Sequence, residues 1–188
     1  MQFLENDLAF LQASTPVLEE YLLSDLLYYP VTGLRGRQLT GDTTRLTLGN
    51  LLLSQKRLSS VTLPADASAQ FSEFTRQIDQ VHGQWRSRWD IKIQQEIPNR
   101  LMLWKNYLSE WGEESKSRSG DYPYNVRLRV ILELLLKETD ALLVQEKALL
   151  HSLDQRLKGK GEPGNFVWDE TFTTGFPSDE FWYLYMQF

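Results

Sequence analysis

Twelve apolar residues recur at intervals of three or four through the middle of this chain: Phe71, Phe74, Ile78, Val81, Trp85, Trp89, Ile93, Ile97, Leu101, Trp104, Leu108 and Trp111. That spacing places them on one face of an α-helix over 41 residues. A helix this long needs a long partner to cover its stripe, which constrains the fold more than any other feature. Pro98 falls inside the run, yet Ile93, Ile97 and Leu101 keep their phase across it. Ile97 would also be a poor N-cap, so the sequence predicts a kink at Pro98 and not a turn.

The partner follows directly. Residues 112–121 are polar and glycine-flanked, as in a hinge loop. Pro123 opens a second long helix with a wide leucine face, and Gly159 with Gly161 closes it. The two arms would run roughly 65 and 50 Å as an antiparallel hairpin. Upstream, a short helix is expected over about residues 3–12. A second, N-capped by Thr15 with Pro16 in its first turn, should run through Leu26 and Leu27 and be buried. A third should start near Thr47 and use Leu48, Leu51, Leu52 and Leu58. The fold class is therefore all-α: an elongated up-down bundle over residues 1–158, built on a kinked helical hairpin.

Residues 159–188 differ from the rest, holding nine of the 23 aromatic side chains. They read as an aromatic-rich extension with a little β structure, packed on the bundle as cover; exchange with a second copy or closure over a ligand are the alternatives. Alternation from Phe166 to Phe172 suggests a short strand, and Ser178-Asp179 could cap a short helix before Phe181. Trp168, Phe176, Trp182 and Tyr185 are the candidate interface residues, since aromatics of this kind anchor contacts.

Composition narrows the class. Apolar and charged fractions of 41% and 24% suit a folded globular chain. There is no run of about 18 apolar residues, so no membrane span is expected. Acids at Glu5 and Asp7 do not fit a signal peptide, and zero cysteines exclude disulfides and thiolate chemistry, so the expected location is cytoplasmic.

The net charge of −5 is segregated. Residues 1–30 hold five acids and no Lys or Arg, residues 31–63 hold five bases against Asp42, and residues 159–188 carry a net −4. The long connection of residues 29–46 carries Arg35, Arg37 and Arg45 with Thr43, Thr44 and three glycines, and runs into a helix N-terminus near Thr47. Charge, hydroxyls and free N–H groups in that order suit a small phosphate-bearing ligand. The alternative is a hairpin-like loop whose arginines pair with the acidic ends of the chain.

Two further constellations carry chemistry. Asp79-x-x-His82 and His151-x-x-Asp154 each share a helical face, and in a hairpin turning near Ser117 they would sit at similar height, offering ligands for a divalent metal. Both histidines, however, look like flank or surface positions carrying local ion pairs. Arg86 and Arg88 interleave with Trp85 and Trp89 as in single-strand nucleic-acid binders, but both tryptophans belong to the stripe, so nucleic acid is not expected. No cofactor is implied. The reading is a non-enzymatic interaction or assembly protein with a protein partner or self-association. An anion-binding protein or enzyme using the basic loop, and a metal-dependent enzyme using the two histidines, are the alternatives.

Overall fold

The computed structural model of the chain describes residues 2–32, 45–110, 119–139 and 144–188. The protein is all-α, with two short antiparallel β pairs. It divides into two compact units, Met1–Glu96 and Ile97–Phe188. Among the described residues, no helix is long and apolar enough to cross a membrane.

The first unit begins with α1 (Gln2–Ser14), a 3-10 turn (Thr15–Val17) and α2 (Leu18–Leu23). Thr15 is not an N-cap: its hydroxyl donates back to the carbonyl of Leu11 at 2.7 Å, closing α1 from inside a buried position. The predicted continuation of α2 through Leu27 fails at Ser24. That residue turns to extended backbone, donates its hydroxyl to the Tyr21 carbonyl and accepts from the Leu26 N–H. Leu23 and Leu26, expected in the core, are exposed as a result. β1 (Tyr29–Pro30) and β2 (Arg45–Leu46) pair antiparallel, Tyr29 opposite Leu46 and Pro30 opposite Arg45. They bring the two ends of the basic connection together, as the hairpin alternative required. α3 (Leu48–Ser59) packs on α1, and Phe10, Leu11, Leu51 and Leu58 are buried.

The stripe does not lie on one helix. It divides into α4 (Ala65–Gln84) and α5 (Arg86–Glu110) at Trp85, whose φ of −118° and ψ of 34° leave the α region. Gly83, a weak helix former, stands two residues before the break. Pro98 lies inside α5 and does not end it. Pro98 and Gln94, whose carbonyl would have accepted the missing N–H, are both exposed, so water can serve that carbonyl.

In the second unit, the predicted long second arm is three helices: α6 (Tyr122–Asn125), α7 (Arg127–Lys137) and α8 (Val144–Lys158). α7 stops where Thr139 and Asp140, residue types suited to caps and turns, follow Glu138. Gly159 and Gly161 end α8 as expected, their N–H groups donating to the carbonyls of Gln155 and Leu157. In the tail, residues 166–172 are not a strand. Glu170–Gly175 is a 3-10 helix capped by Asp169, whose carboxylate accepts from the Thr171 N–H and hydroxyl. The β structure is instead β3 (Glu162–Pro163) paired with β4 (Met186–Gln187). A side chain on Gly164 would place its Cβ 2.8 Å from that of Gln187, so this pairing needs glycine there.

One cation ties the second unit together. Arg129 of α7 is 5% exposed. Its guanidinium donates to both carboxylate oxygens of Asp154 on α8, at 2.9 and 3.0 Å, and to Glu133 at 2.8 Å. Its carbon sits 4.5 Å from the ring centre of Tyr183 in the tail. Removing one partner of such a buried pair strands the other charge. Arg129→Ala should therefore cost about 3–5 kcal/mol of unfolding free energy in urea titration followed by circular dichroism.

Candidate functional site

The geometry that bears on the basic connection lies at the start of α3. Thr47 is the N-cap: its hydroxyl accepts from the Asn50 N–H at 3.1 Å. The Asn50 side-chain amide donates to the Arg45 carbonyl at 3.1 Å, holding β2 against the helix entry. The Gly49 N–H donates to Oε2 of Glu96 on α5 at 2.9 Å, and Glu96 is wholly buried. A helix N-terminus favours an anion through its free N–H groups and dipole. Here the anion at Gly49 is a carboxylate of the same chain.

One turn earlier on α5, Lys92 is also buried. Its ammonium donates to the carbonyls of Ser24 and Leu26, each at 2.7 Å, and lies 4.6 Å from the ring centre of Tyr21. Burial holds the Lys92 pKa below its usual value, with Asp25 opposing the shift only in part. This contact explains the early end of α2: the two carbonyls turn toward the lysine instead of continuing a helix. Tyr21 meets Tyr29 edge-on at 6.0 Å. The Tyr29 hydroxyl is bonded to Glu20, which holds its proton more tightly than usual. Lys92 and Glu96 thus order both flanks of the connection.

Of the candidate anion ligands, Arg45 is exposed on β2, and Arg35, Arg37, Thr43 and Thr44 lie outside the described residues. Elsewhere in the basic segment, Arg57 of α3 faces the buried acid Asp7 of α1 at 3.8 Å. That contact joins the basic segment of residues 31–63 to the acidic N-terminal one, through an arginine outside the 29–46 connection.

Of the four metal candidates, His82 and Asp154 are engaged with other side chains. Asp79 is exposed on α4, and the half-buried His82 stacks on Trp89 with ring centres 4.4 Å apart. His151 is exposed on α8, and both carboxylate oxygens of Asp154 accept from Arg129. Among the described residues, no three His, Asp or Glu side chains gather as a metal ion would require.

The four interface candidates are bound up within their own unit. Phe176 is fully buried and packs edge-on against Trp168 and Phe181. The Trp168 indole N–H donates to the Pro123 carbonyl at 2.7 Å, and the Tyr185 hydroxyl donates to the Phe176 carbonyl at 2.8 Å. Trp182 is half-buried under the Lys158 ammonium. The tail is cover for α6–α8, with Tyr122 donating to the Tyr183 carbonyl at 2.5 Å.

Sequence reasoning missed Lys92, Glu96 and Arg100. All three are buried on α5 at intervals of four, each one residue before a stripe position. The spacing was readable, but it is also the ordinary spacing of exposed helical ion pairs, which gives no sign of burial. Glu96→Ala should lower stability by about 1.5–3 kcal/mol, the value of a hydrogen bond to a charged group, with Glu96→Gln losing less; tryptophan fluorescence through a urea titration reads both. No protein-family model matches this chain, and neither a curated protein nor a solved structure is significantly similar to it.

Proposed function

We propose that this protein is a non-enzymatic interaction or assembly module that docks a protein partner, a second copy included, along α4. The observation behind the reading is a contrast within the stripe. On α5 the residues Trp89, Ile93, Ile97, Leu101, Trp104 and Leu108 are all buried. On α4 and the Trp85 break that ends it, the same pattern runs through Phe71, Phe74, Ile78, Val81 and Trp85, over about 21 Å. Of these five, Ile78 alone is buried; the other four are half-buried. An apolar row that its own chain covers incompletely is a surface on which another helix gains by removing area from water.

The docking surface is then separate from the tail, where Trp168, Phe176 and Phe181 pack on one another and Tyr183 on Arg129 of α7. Phe71 and Phe74 lead the row and are the residues to alter. In light scattering on the full chain, the wild type should show mass above that of one chain, rising with concentration. Phe71→Glu with Phe74→Glu should return it to the mass of one chain with an unchanged far-ultraviolet spectrum. A wild type that keeps the mass of a single chain at high concentration would count against assembly. A double variant that still assembles would count against α4.

A further inference from the structure

The contact between α1 and α3 is built around a carboxylic acid. Asp7 is 2% exposed. One of its oxygens accepts from the Ser54 hydroxyl at 2.8 Å and faces the Arg57 guanidinium at 3.8 Å, beyond hydrogen-bond distance. The other oxygen is enclosed with no hydrogen-bond partner among the described residues. An ionised carboxylate offers about four acceptor sites and is costly to bury with most of them unmet, whereas the neutral acid can keep the serine bond and needs no cation.

Among the described residues, Arg57 is the one cation ion-paired to Asp7. α1 also meets the 15–17 turn and α4. The turn, Thr15-Pro16-Val17, has no titratable side chain. α4 carries Asp66, Glu73, Arg76, Asp79 and His82, and none of them is hydrogen-bonded or ion-paired to Asp7. On α3 the facing groups are Ser54 and Arg57, and α1 itself contributes Glu5 without a bond to Asp7.

We propose that Asp7 is a proton-operated latch: with Asp7 protonated α1 is held firmly on α3, and loss of the proton loosens it. The direction follows from linkage. Burial, opposed by Arg57 and the Ser54 bond, raises the Asp7 pKa from 3.8 to about 6. A carboxyl with a raised folded-state pKa contributes its full stability below the unfolded value. That contribution is lost as pH rises through the folded value. The window is therefore about pH 4 to 6, and acidification tightens the α1 contact where most acid-sensitive contacts weaken.

Hydrogen exchange on the full chain, corrected for the intrinsic pH dependence of exchange, reads the latch directly. Between pH 5 and pH 7.5 the opening equilibrium of α1 should rise about tenfold relative to that of α7. Asp7→Asn should flatten this rise and leave α1 at least as protected at pH 7.5 as the wild type. Arg57→Gln, which removes the cation and keeps the acid, should enlarge the rise. Wild-type α1 protection that does not change between the two pH values would overturn the proposal. So would an equal change in Asp7→Asn, or a rise unaffected by Arg57→Gln.

Discussion

A charge taken out of water must be met by something, and in this protein the meeting points fix where elements dock. Glu96 reaches the first turn of α3, 47 residues away in sequence. Lys92 collects two carbonyls 66 and 68 residues away. Arg129 joins α7 to α8 and lies under the ring of Tyr183 in the tail. Apolar burial supplies most of the driving force, but it is non-directional. Bonds to buried charges are directional, and a misdocked helix would leave one of them stranded at several kcal/mol.

That division explains which parts of the fold were legible. Period alone identifies the stripe, and terminal chemistry identifies Thr47 as a cap and Gly159 as a stop. Sequence cannot show that the break falls at Trp85 rather than Pro98, because the intrinsic cost of a proline drops when the carbonyl it leaves unpaired faces solvent. Nor can it show that α2 ends at Ser24, since the group drawing those carbonyls away is a lysine 68 residues downstream. The tail misled for a related reason. Alternating aromatics suit a strand, but here Asp169 caps a 3-10 turn and the rings pack edge to edge on α6–α8.

The candidate sites were legible as chemistry and not as occupancy. An arginine-rich connection running into a helix N-terminus does describe a place suited to an anion, and at that N-terminus the Gly49 N–H donates to the buried carboxylate of Glu96. A histidine three residues from an aspartate does describe a ligand pair, but Asp154 belongs to Arg129. The incompletely covered feature is the α4 half of the stripe, which the sequence presented as indistinguishable from the α5 half.

The central claim is that buried charge pairs specify the docking instead of decorating it. A double-mutant cycle on Arg129 and Asp154 tests this most directly, using Arg129→Met and Asp154→Leu singly and together and measuring unfolding free energies. The account predicts that each single change is strongly destabilising and that the double is far less so than their sum, with a coupling of about 2 kcal/mol or more. Additive losses would contradict it, because they would mean that each side chain contributes through its own packing and that the pair does not set where α7 and α8 meet.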